Sequence, residues 1–210
     1  AAAPPSVDTG AVSVGMTPPP GSTVALGVSA PDLTPDGTFR FKGVAPGSFL
    51  LTAGFRTVAT GGAVPGLPAW VLKSATLAGR DVLDSPFDVR PGLDVSDLVV
   101  TFTDRVARVT GLVTDQTGRP APTYSVMLFS TEPRFWRQNS RWVRQPVRPA
   151  SDGRYQIAGM PPGEYYLALV TDYQANEWYT PAFLQQIIPG AIRVTIEEGE
   201  AKTQDVRLAG

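Results

Sequence analysis

The chain has 210 residues, with 18 Lys and Arg against 19 Asp and Glu for a net charge of −1, and it contains no Cys and no His. So balanced a charge offers no overall field to draw nucleic acid or an anionic membrane, and neither is expected as a partner. The missing residue types exclude disulfides, thiolate chemistry, His-ligated zinc and any Ser-His-Asp or Cys-His catalytic set.

Residues 1–6 read as a linker or flexible leader; this Ala-rich start has neither the basic nor the apolar region of a signal peptide. No apolar run approaches the ~18 residues of a membrane span. Alternation over 12–17 predicts a strand ended by Pro18-Pro19-Pro20-Gly21, and 23–28 predicts a second. A loop over 31–36 leads into Asp36-Gly37-Thr38-Phe39-Arg40-Phe41-Lys42-Gly43-Val44-Ala45-Pro46-Gly47, followed by the apolar alternation Phe49, Leu51, Ala53. Asp-Gly predicts a turn, because Asp bonds its own backbone and Gly accepts positive φ. Phe39 and Phe41 then mark a strand with one buried face, and Pro46-Gly47 fits the centre of a type II turn with Gly at positive φ. A Gly-rich excursion over 54–68 ends at Trp70. Apolar character returns at 70–72, a strand or turn follows between 75 and 84, and strand signals stand at 87–89 and 98–102.

The junction at 103–106 is short, and strand character resumes at 108–113 and 124–129. The first half's pattern then returns at a constant offset of 116 positions, as Asp152-Gly153-Arg154-Tyr155-Gln156-Ile157-Ala158-Gly159-Met160-Pro161-Pro162-Gly163, with Tyr165, Leu167 and Leu169 beyond it. The chain is a tandem repeat divided near its middle, 1–104 and 105–210, and each half has the size of an immunoglobulin-like sandwich. Two strands and a turn cannot hide an apolar face alone, so a second sheet must cover each copy. Thr180 as N-cap and Pro181 at the first helical position predict a short helix over 180–188, stopped by Pro189-Gly190. Residues 192–196 and 205–208 mirror the closing strands of the first half, across the acidic turn Glu197-Glu198-Gly199-Glu200.

Gly111, Val113, Asp115, Gly118 and Pro120, followed by a strand and the repeated signature, resemble the carboxypeptidase regulatory-like domain. This is a transthyretin-like β-sandwich, often strung in tandem in exported bacterial proteins. The resemblance covers most of 107–210 and 10–103 less completely. It implies an all-β fold of two tandem immunoglobulin-like or transthyretin-like sandwiches with short connecting helices or turns. It also implies an extracellular or cell-surface location, and it implies no peptidase activity, because the module is an accessory to a separate zinc domain in carboxypeptidases.

The first repeat begins at the strand equivalent to 124–129 and lacks a counterpart of 108–115. Either residues 1–9 or upstream sequence supplies a substitute, or another chain contributes the strand, since an unpaired sheet edge is a template for strand addition. No enzyme, cofactor or metal site is expected. Glu197, Glu198 and Glu200 sit in a turn exposed to water instead of a cleft, and Asp36 and Asp152 are turn formers. The candidate binding surface is the loop over 133–149, with Arg134, Trp136, Arg137, Arg141, Trp142, Arg144 and Arg148, joined by Trp178 and Tyr179. Guanidinium groups could grip anions there while indoles stack on sugars; alternatively the aromatics cap the sandwich and the Arg stems lie over them. The sequence thus predicts a non-catalytic structural or interaction module, partnered by protein, including copies of itself joined into a filament through a sheet edge. The alternative is a carbohydrate-binding accessory module.

Overall fold

The structure, a computed structural model, describes residues 11–19, 21–22, 28–55, 70–138 and 140–208. Of the strand expected at 23–28, residues 23–27 lie outside the described residues, as do 56–68 of the excursion expected over 54–68, whose first two residues instead end a strand, Gly47–Phe55. The chain divides into two compact units, Ala1–Asp104 and Arg105–Gly210, and both are mostly β.

In the first unit, β1 (Val12–Thr17) pairs antiparallel with β4 (Gly47–Phe55), which pairs with the short β7 (Phe87–Val89). The Asp-Gly turn closes a hairpin of β2 (Asp32–Leu33) and β3 (Phe39–Arg40). The third sheet runs β6-β5-β8, with β5 (Val71–Leu77), β6 (Arg80–Asp81) and β8 (Leu98–Thr103). Alternate residues of β4 and β5 point into one core of Met16, Phe49, Leu51, Ala75, Val82, Leu83 and Phe87, so the sheets pack face to face as a period of two requires.

In the second unit, β10 (Ser125–Ser130), β12 (Gly163–Val170) and β13 (Ile192–Ile196) form one antiparallel sheet. In the other, β9 (Arg108–Thr114) is central. It pairs antiparallel with β11 (Arg154–Ala158) on one side and parallel with β14 (Ala201–Thr203) and β15 (Val206–Arg207) on the other. Val109, Val113, Val126, Leu128, Tyr155, Ile157, Tyr165, Leu167, Val194 and Ile196 meet between the two sheets. A second core lies on the far face of β10 and β12, where Met127, Phe129, Tyr166, Ala168 and Val170 are covered by Trp136, Val143 and Leu184. Leu184 belongs to α1 (Pro181–Ile187), whose Thr180 N-cap accepts the Phe183 N–H, the capping expected from the sequence.

Two local readings are corrected. Gly47 does not have positive φ; the left-handed residues of the signature are Gly37 and Gly153 in the Asp-Gly turns and the inner Gly43 and Gly159, and Pro46-Gly47 feeds straight into β4. The inner glycines take the left-handed conformation that other residues rarely adopt. Likewise β12 is buried on both faces: Tyr165 and Leu167 face the sandwich while Tyr166 and Ala168 face the second core.

Candidate functional site

The loop after β10 is built from the aromatics upward. Pro133–Phe135 makes a single 3₁₀ turn, which brings the Phe135 ring flat against Trp142, centroids 4.4 Å apart and planes 8° off parallel. Trp142 in turn stacks on Tyr165 at 5.9 Å. A Cβ on Gly163 would lie 2.8 Å from the Trp142 ring, so the glycine lets the indole close over the start of β12. Trp136 turns the other way, into the second core, where it is 5% exposed and its indole N–H donates to Ser130 O at 2.7 Å.

The guanidinium groups lie over this aromatic layer. Arg134 sits 4.5 Å above Phe135 and pairs with Glu132 at 2.7 Å, and Arg141 covers Trp142 at 5.2 Å. Arg144 donates to Gly159 O and, at 3.0 Å, to Met160 Sδ, and burial lowers its pKa. Arg148 donates to Pro122 O at 3.1 Å. Arg137 is half-buried at the loop's bend. Arg134, Arg144 and Arg148 thus bond to carbonyl, sulfur or carboxylate groups of their own unit, and the arrangement does more to lock the loop than to hold an anion. Trp136 has no ring face left for a sugar.

Trp178 and Tyr179 pack at the edge of the same second core as Trp136, with Trp178 edge-on to Tyr173. Among the described residues, Trp178 Nε1 is the one buried side-chain N or O atom without a partner. Neither the sequence nor its spacing pointed to Arg193, which donates to the Tyr166 hydroxyl at 3.1 Å while lying 5.4 Å over that ring.

The signature aspartates act as turn formers. Asp36 Oδ1 accepts the Thr38 N–H, Asp152 Oδ1 the Arg154 N–H, and Asp115 Oδ1 the N–H of both Thr117 and Arg119. Side-chain hydrogen bonds from Thr34 and Thr117, ahead of the backbone bonds, hold the Asp36 and Asp115 carboxyls below the usual range. Among the described residues no three carboxylates gather to hold a metal ion, and no helix is long and apolar enough to cross a membrane.

A second candidate surface is the edge of β8. In unit two, Gln204 N–H donates to Thr110 O and Leu208 N–H to Thr114 O, so alternate residues of the closing strands turn their backbone groups toward β9. In unit one the matching stretch has a different neighbour. Val82 N–H donates to Ala75 O, which aims Ala75 at β6 and, by alternation, Thr76 at β8. Thr76 stands opposite Val99. Val99 therefore bonds to β5, and Leu98 and Val100 point their N–H and C=O groups away from it, toward the side that β9 occupies in unit two. Among the described residues no strand pairs there.

The two surfaces belong to different parts of the chain, and the second unit is a two-sheet sandwich with a helical cap whose polar chemistry serves packing. Residues 108–209 match the model of the carboxypeptidase regulatory-like domain, which bears out the resemblance read from the second half's signature. No curated protein matches the chain. Among solved structures the chain is similar to a streptococcal ancillary pilin, at 14% identity and TM-score 0.34, over 78% of this chain and 45% of that one. It is also similar to the group B streptococcus pilus 2b backbone protein, at 12% identity and TM-score 0.33, over 76% and 48%. The Bacillus anthracis TIE protein is similar at 11% identity and TM-score 0.32, over 95% and 34%. The chain spans less than half the length of each of these three.

Proposed function

We propose that the chain is a non-catalytic structural and interaction module of an exported bacterial protein, held at the cell surface or outside it, that links to neighbouring polypeptides through the open sheet edge of its first unit. The observation that carries this reading is the backbone of β8: Leu98 and Val100 present hydrogen-bonding groups on a side where no described strand pairs. An edge of that kind templates further pairing unless it is covered or blocked. The aromatic and cationic residues that would otherwise suggest a ligand are engaged in packing. Light scattering over a range of concentrations, with electron microscopy of the most concentrated sample, tests it. Association that grows with concentration into linear particles is expected, and a monomer throughout would contradict assembly of the chain with itself.

Glycan recognition keeps a narrower basis, the partly exposed Trp142, Trp178 and Tyr179. On that reading a glycan array would show saturable binding that is lost in Trp142→Ala. The packing reading instead predicts no saturable glycan.

A further inference from the structure

The internal repeat says what would complete the first unit. In the second unit β9 lies between β11 and the closing strands, with Val109 and Val113 both 0% exposed and its backbone bonded on both sides. It accepts from Gln204 and Leu208 N–H, donates from Val113 N–H to Gly153 O, and through Ala107 O, just before the strand, accepts from Gly159 N–H. The Leu112 N–H donates to the Asp205 carboxylate at 2.8 Å. Unit one keeps a match for each partner that surrounds β9. Gly37 and Gly43 stand for Gly153 and Gly159, and Phe39 and Phe41 for Tyr155 and Ile157, all at the 116-residue offset. At an offset of 108, Leu98 and Val100 match Val206 and Leu208. What it lacks among the described residues is the strand.

The consequences are visible in burial. Tyr155 and Ile157 are 4% and 3% exposed, whereas Phe39 and Phe41 are only half-buried. Of the four exposed large hydrophobic residues among those described, three fall within seven positions of this edge: Leu93 at 61%, Val95 at 41% and Val99 at 56%. A cluster of that kind at a strand edge marks an interaction site.

We infer that the slot between β3 and β8 is the acceptor site for one extended strand of another polypeptide. That strand has the chemistry of β9, with aliphatic side chains at every second inward position and a glycine between them, and it lies parallel to β8 and antiparallel to β3. Its inward side chains enter the core beside Phe41 and Val100, and its carbonyls accept from Leu98 and Val100 N–H. The glycine belongs to the pattern because a Cβ at Gly111 would overlap Gln204 O. The inference rests on the assembly reading above, but it specifies a site that can fail separately.

The test uses the full chain and a synthetic peptide with the sequence of residues 106–116, which contains β9 and its flanks. Titration of the peptide into isotope-labelled chain, followed by NMR, is expected to protect the Leu98 and Val100 amides from exchange. A nitroxide on the peptide's C-terminal end should broaden the signals of 98–100, and one on its N-terminal end those near 93, as the parallel sense requires. A peptide with Val109→Asp and Val113→Asp should bind at least about tenfold more weakly, the loss expected when central anchors are removed. Because the changes are in the peptide, the chain's own folding is untouched. Three outcomes overturn the inference: no saturable binding, the opposite orientation, or Leu98 and Val100 amides already protected in the monomeric chain, which would mean that the chain fills the slot itself. If the peptide fails and the chain still associates, assembly uses another surface. If the peptide binds and the chain never associates, the acceptor is real and its donor is a different polypeptide.

Discussion

At the scale of single residues, two tryptophans flanking one core should respond unequally to the same substitution. Trp136 satisfies Ser130 O through its indole N–H, so Trp136→Phe strands a buried carbonyl, at a cost of about 1–3 kcal/mol. Trp178 Nε1 is buried without an acceptor, so Trp178→Phe removes a desolvated donor and its cost is smaller. Urea unfolding of the two variants should show that order. Tyr155 supplies a pH dependence. Its hydroxyl donates to Gln204 O at 2.5 Å, and burial, with the Asp205 carboxylate second, raises its pKa well above the usual tyrosine value. A raised value favours the neutral phenol in the fold. Its stabilisation is therefore complete below the unfolded pKa of about 10 and is lost as pH rises beyond it. Thermal melts of Tyr155→Phe should fall off less steeply than those of the parent above that pH.

At the scale of elements, the clearest features in the sequence were those fixed by backbone chemistry. Asp36-Gly37 and Asp152-Gly153 make their turns, and Thr180-Pro181 starts α1 as the capping pattern requires. What the pattern hid was depth. Tyr165, Leu167 and Leu169 alternate as a one-faced strand would, but Tyr166 and Ala168 are buried as well, because α1 and the 133–143 loop close over the sheet from sequence positions far from β12. Alternation reports the direction of side chains and cannot reveal what covers them. The Arg/Trp loop shows the same limit: its composition allowed either a ligand platform or a cap, and only the Phe135–Trp142–Tyr165 stack decides how those rings are used. Leu184 anchors α1 and is 0% exposed. Leu184→Ala should cost about 2–5 kcal/mol, and protease cleavage near 172–180 should then precede global unfolding.

At the scale of the whole molecule, the two units are unequal. The described part of the first gathers seven residues into its buried cluster, while the second has one cluster of 14 and another of eight. Burial of apolar area is the main stabilising term, so the first unit should unfold at lower denaturant in a two-step transition, seen with Trp70 as the probe of one unit and Trp136 of the other. The repeat made this comparison legible from the sequence, since no strand among the described residues of the first unit matches β9. Which side of β8 stays open was not legible, because it depends on β5, whose pairing no periodicity encodes.

Native-state hydrogen exchange on the dilute, monomeric chain tests the open side of β8 most directly. Val99, bonded to β5, should exchange slowly, while Leu98 and Val100 on either side of it should exchange at nearly unprotected rates. Uniform protection across all three amides in the monomer would mean that β8 already has neighbours on both edges, and the proposed acceptor site would not exist.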